Sequence, residues 1–180
     1  MPAEISVVIP TLNAEQVLPG CLAALMEGVM AGLIRELVVS DGGSKDATIR
    51  IAEAAGADGI TAHLREDRRH IADDDIRLLA ENLTIPLNFE MAATDEMLGI
   101  ALAHKPHASC LVPEKREERT TEGGLDVART HNALKFYVDS LKKENIRVSL
   151  FVEPNVKQLE AAKLLGADIV ELHVGPYCDV

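Results

Sequence analysis

A chain of 180 residues with 47% hydrophobic content can bury the core of one domain. Its formal net charge of −11 argues against nucleic acid or an anionic membrane as the main partner, and any phosphate ligand would need a local basic pocket. No apolar run reaches the ~20 residues of a membrane span, and "MPAEISVVIP" lacks the basic region of a secretory signal, so a cytoplasmic protein is expected. Cys21, Cys110 and Cys178 are scattered and odd in number, which fits a reducing compartment without a disulfide framework or zinc site.

Short apolar runs alternate with longer amphipathic segments. Strands are predicted at 5–9, 36–40, 59–63, 87–91, 108–112, 147–152 and 168–173, with helices near 14–31, 46–55, 73–82, 94–104, 126–144 and 155–165. Strict alternation predicts a parallel sheet covered by helices, and continuous β-branched runs suit strands buried on both faces. The junctions "AEAAGADGI" and "AAKLLGADIV" each leave a helix through Gly-Ala-Asp, with Gly56 and Gly166 placed as left-handed terminators. Such repeated αβ units favour a (β/α) barrel or a doubly wound sheet. The polar stretch "PEKREERTTEGGL" is too long for an ordinary turn and reads as a functional loop.

Ionisable residues gather at the strand ends. His63, Glu90, Glu114, Glu153, Glu171 and His173 all stand at or beyond the carboxyl ends of predicted strands, the rim on which parallel α/β folds build active sites. One terminal Glu means little, since strand ends meet solvent. The run "HLREDRRH" adds three arginines to the same rim. Taken alone it reads as a solvated charge run leading into a helix, or as a phosphate pocket. "DDD" at Asp73 to Asp75 reads as a helix start favoured by the helix dipole. "DGGS" is an ordinary strand-to-helix turn or a phosphate cradle. His104, His107 and His131 are expected on the surface, and Cys178 as a packing residue.

Two resemblances emerge from these motifs. The stretches "GADGITAHLREDRRHI", "LNFEMAATDEML", "CLVPEKREERTTEGGLDV", "VSLFVEP" and "GADIVELHVGPYCD" resemble the pyridoxine 5′-phosphate synthase family from about residue 53 onward. "EISVVIPTLNAEQVLPGCLAAL" and "ELVVSDGGSKDATIRIAEAAGA" instead resemble the opening of a family 2 glycosyltransferase, in which Asp41 would hold the nucleotide of a sugar donor. The expectation is a chimera joined at a shared αβ element: one α/β domain with a glycosyltransferase-like βαβα segment at 1–57 and a synthase-like segment at 58–180. The fold implied is derived from a parallel (β/α) barrel, an incomplete or rearranged TIM barrel.

The synthase resemblance implies condensation of 3-amino-2-oxopropyl phosphate with 1-deoxy-D-xylulose 5-phosphate. By motif, His63 and Glu90 become the acid–base residues and Glu171 stabilises charge in the transition state. Arg65 and His70 would hold the deoxyxylulose phosphate, with Thr120 adding a contact. Arg is suited to phosphate because its planar fork matches the oxygens, and His to proton transfer because it titrates near neutrality. The partners expected are small phosphorylated substrates. Neither metal nor cofactor is expected, because no His/Asp/Glu set has ligand spacing. The family's first strand and last two strands have no counterpart in the matched stretches, so weak turnover is expected. Against this stand a glycosyltransferase fragment binding a nucleotide sugar and an inactive chimeric chain. Seven strands leave open edges, for which self-association into a homo-oligomer is one solution.

Overall fold

The structure, a computed structural model, describes residues 5–114 and 123–173. Strands and helices alternate as β1 (Ile5–Thr11), α1 (Leu18–Met30), β2 (Ile34–Asp41), α2 (Thr48–Ala54), β3 (Gly59–His63), α3 (Asp73–Asn82) and β4 (Leu87–Ala92). They continue as α4 (Asp95–His104), β5 (Ala108–Val112), α5 (Val127–Lys143), β6 (Arg147–Val152), α6 (Val156–Leu165) and β7 (Ile169–Leu172). Strand order follows chain order, β1 to β7. Parallel strands with intervening helices make this the α/β architecture of an incomplete (β/α) barrel, as expected. The chain forms two compact units, residues 1–63 with 70–88 and residues 64–69 with 89–180.

In the first unit β1, β2 and β3 pair in parallel, so the opening segment supplies the strands leading up to β3. Leu18, Val39, Ala52, Ala57 and Ile60 form its core, with Ile9, Leu37 and Ile49 packed against them. Helix α1 starts four residues later than the sequence predicts. The N–H groups of Ala14 and Glu15 are captured by Thr48 Oγ1 and Asp46 Oδ2, some thirty residues on, and residues 15–17 form a turn ahead of the helix. Pro19 then sits in the first turn, where its missing N–H costs nothing. At α3 the three acids lie in the first helical turn behind Ala72 as N-cap. Ala72 has no side-chain acceptor, so only half a capping box forms, with Asp75 accepting the Ala72 N–H.

The second unit holds β5, β6 and β7, paired in parallel, with most of β4. Its core includes Phe89, Met91, Leu111, Leu141, Val148 and Leu150, all but sealed from solvent. Each such side chain contributes roughly 1.5–3 kcal/mol on burial. Helix α5 turns Leu134, Val138 and Leu141 inward at helical spacing, and Asp126 caps it by accepting the Arg129 N–H.

The Gly-Ala-Asp junctions have a shared physical basis. Gly56 and Gly166 take φ of +81° and +90°, which ends each helix without steric cost. The aspartate that follows then clamps the preceding strand. Asp58 donates its N–H to Leu37 O while its carboxylate accepts the Leu37 N–H, and Asp168 does the same with Val148. Each clamp fixes the register at which the next strand enters its sheet.

Candidate functional site

The residues after β3 carry the charge cluster. Asp67 binds Arg69 at 3.0 Å and approaches Arg65 Nε at 3.5 Å. Desolvation works against the Asp67 anion, but the Arg69 N–H and the two guanidinium charges outweigh it and hold its pKa below the usual carboxylate value. Arg68 adopts φ of +51°, donates to Glu66 O, and pairs with Glu96 of α4. Glu66 thus orients Arg68 through its carbonyl, while its own N–H is accepted by Glu114. Arg65 is mostly buried, with 12% of its side chain exposed. His63 closes β3 in the first unit and is half-buried, whereas His70 is exposed. Thr120 and Cys178 lie outside the described residues.

The second unit gathers its acids on one sheet face. Residues two apart on a strand share a face, so Ser149, Phe151 and Glu153 line one side of β6 and its end. Phe151 is paired with Glu171 in register. Ser149 donates to Glu171 Oε1 at 2.9 Å, and the His173 ring contacts Phe151 edge-on at 5.5 Å between centroids. Buried Cys110 of β5 completes the group. Burial raises its thiol pKa well above the ordinary value, and the negative charges of Glu171 and Glu90 add to the effect. Glu90 and Glu171, from β4 and β7, therefore act on the same sulfur. Both carboxylates disfavour the thiolate, so Cys110 stays a neutral thiol.

Beyond these, Glu153 Oε1 accepts the Gly124 N–H and meets His173 Nδ1, both at 2.9 Å. The Gly124 bond and then the imidazole keep the Glu153 pKa below the usual glutamate value. Sequence reasoning placed Glu153 and His173 on the rim but did not pair them. Their signal is the alternation: Glu153 lies two residues past Phe151, and His173 two past Glu171. Ser149 and Cys110 went unmarked, because small residues inside apolar runs read as core.

The first unit has a different polar network. Thr11 and the Ser44 hydroxyl both donate to Asp41 Oδ1, while the Gly43 and Ser44 N–H groups bond Oδ2. Asn13 accepts the Lys45 N–H, and Gly42 donates to Thr11 O. Gly43, at φ of +92°, packs so tightly that a Cβ there would lie 2.6 Å from His70 O. The N–H groups that a phosphate would use are thus spent within the chain, and "DGGS" serves as a structural turn. Beside it lies a largely apolar cavity of about 440 Å³ lined by Asp41, Lys45, Arg50, Asp75 and Leu79, among others. No candidate acid–base residue lines it.

Among the described residues no helix is long and apolar enough to cross a membrane. Residues 6–72 match glycosyl transferase family 2. A pyridoxine 5′-phosphate synthase from Roseobacter denitrificans is 65% identical over 130 residues, 72% of this chain and 52% of that protein. The Zymomonas mobilis synthase is 62% identical over 130 residues, 72% of this chain and 51% of its own. The chain therefore spans about half the length of the curated relatives it matches. Among solved structures, the YdjI aldolase from Escherichia coli K12 aligns with 98% of this chain and 67% of its own, at a TM-score of 0.63 and 13% identity. A mandelate oxidase mutant aligns with 93% of this chain and 64% of its own, at 0.59 and 12%. Identities that low speak to the fold alone. Residues 40–180 match pyridoxal phosphate biosynthesis protein PdxJ, and across that span the chain belongs to this family.

Proposed function

We propose that this chain is a cytoplasmic, pyridoxine 5′-phosphate synthase-like enzyme that joins 3-amino-2-oxopropyl phosphate to 1-deoxy-D-xylulose 5-phosphate. His63 and Glu90 exchange protons as amine and carbonyl combine. Glu171, oriented by Ser149, holds the positive charge that develops on nitrogen. Arg65 and His70 take the phosphate of the deoxyxylulose substrate, and Thr120 adds a contact. The family match over residues 40–180, with relatives 60–65% identical, carries this reading. Calorimetric titration with 1-deoxy-D-xylulose 5-phosphate tests it. Binding by the wild-type chain, weakened at least tenfold in Arg65→Ala, supports the assignment; equal binding by both removes Arg65 from the site.

The opening segment is read as the glycosyltransferase-like part of a chimera, retained for its strands. The match over residues 6–72 and the cavity beside Asp41 favour a nucleotide-sugar site as the competing reading. Four contacts from the chain itself already occupy the Asp41 carboxylate, which counts against that site. Titration with a uridine-diphosphate sugar and manganese separates the two: heat released there, and none with the deoxyxylulose phosphate, reverses the ranking. Self-association is also proposed, to cover the strand edges.

A further inference from the structure

His173 is held on three sides. Its backbone N–H bonds Val152 O at 2.9 Å, its ring rests edge-on against Phe151, and its Nδ1 meets Glu153 Oε1 at 2.9 Å. Glu153 is itself fixed. The same Oε1 accepts the Gly124 N–H, and Gly124 packs so closely that a Cβ there would lie 2.3 Å from Glu153 N. An ionised carboxylate has no proton to give, so Nδ1 must be the donor and Nε2 carries the lone pair of the neutral ring. Only 17% of the His173 side chain is exposed, and Nε2 has no hydrogen bond among the described residues. An imidazole with one nitrogen clamped by a carboxylate and the other left for exchange is the arrangement of a positioned acid–base group.

We propose that His173 is a further acid–base residue of the synthase-like reaction and that Glu153 is its positioning residue, an inference that rests on the functional reading above. The step assigned is dehydration of the carbinolamine formed when the amine adds to the ketone. The Nε2 proton of the imidazolium passes to the carbinolamine hydroxyl, the C–O bond breaks, and water leaves. The nitrogen lone pair forms the C=N bond, and the resulting iminium returns its N–H proton to Nε2. The balance is carbinolamine to imine plus water, with the imidazolium regenerated. Glu153 keeps Nδ1–H throughout. Glu171, two residues back on β7, is the carboxylate beside this step that favours the iminium charge. Among the described residues the carboxylate in contact with the imidazole is Glu153, from the end of β6, and Glu171 lies two residues before His173 on β7.

His173→Asn and Glu153→Gln test this together. The asparagine side chain retains an amide N–H for Glu153 but has no exchangeable ring proton. Product formation by His173→Asn should show kcat reduced about 10²–10⁴-fold with KM within about threefold. Glu153→Gln keeps an acceptor but removes the charge. In two-bond ¹H–¹⁵N imidazole spectra the wild-type His173 should be the Nδ1–H tautomer, and Glu153→Gln should raise the Nε2–H fraction and lower kcat at least tenfold with KM within about threefold. Wild-type turnover in His173→Asn, or a His173 tautomer ratio unmoved by Glu153→Gln, would overturn the inference and leave the synthase reading intact. No product from the wild-type chain would overturn both.

Discussion

Cys110 and Cys21 should behave oppositely toward iodoacetamide. Cys21 is exposed on α1, while Cys110 is buried and pushed away from its thiolate by burial and by Glu171 and Glu90. Peptide mapping of the native chain should find Cys21 alkylated and Cys110 spared until denaturant is added; rapid native modification of Cys110 would mean that its packing is open. At this scale the sequence offered expectations only where a residue stood in a motif. His63, Arg65, Glu90 and Glu171 could each be assigned an expected role from their flanking residues. Nothing local announced Ser149 or Cys110. A hydroxyl or thiol inside "RVSLFV" or "ASCLV" reads as core until the neighbouring strand brings a carboxylate to it. Pairing Glu153 with His173 needed strand register, which no short motif carries.

The repeated Gly-Ala-Asp junctions govern the elements. Replacing Asp58 or Asp168 with Ala removes an acceptor from a strand-entry N–H and should cost about 1–2 kcal/mol in each case. Asp168→Ala should be the more damaging, because it also releases Lys142, now 2.8 Å away. Urea denaturation gives both values, and an unchanged midpoint in either variant would show that its clamp is dispensable. Helix and strand positions were largely readable from periodicity, since buried β-branched runs and amphipathic helices leave separate signatures. The start of α1 was not. Residues 14–17 look helical locally, yet Thr48 and Asp46, some thirty positions on, claim the N–H groups of Ala14 and Glu15. Local propensity cannot register such competition, because those acceptors are distant in sequence. "DGGS" is filled from nearer by: Asp41 itself accepts the Gly43 and Ser44 N–H groups, and Gly42 donates to Thr11 O.

For the whole molecule, the strands at the two ends of the order matter most. Among the described residues β1 pairs only with β2, and β7 only with β6. Ile5 and Val8 on β1 are 50% and 60% exposed, and Ile169 and Leu172 on β7 are 39% and 46% exposed. Unpaired apolar edges of this kind recruit other strands. Light scattering should therefore find a dimer or larger assembly at micromolar concentration, and a monodisperse monomer would contradict self-association. Family and fold class could both be read from the sequence. How two family patterns come to share residues 40–72 could not, because an αβ element ending in Gly-Ala-Asp suits either. The central claim is chemical, and one assay addresses it: incubation of the wild-type chain with 3-amino-2-oxopropyl phosphate and 1-deoxy-D-xylulose 5-phosphate, with chromatographic detection of pyridoxine 5′-phosphate. Product is expected from the wild-type chain, with a loss of at least a hundredfold in Glu90→Gln. Absence of product from the wild-type chain at saturating substrate, or undiminished product from Glu90→Gln, would contradict it.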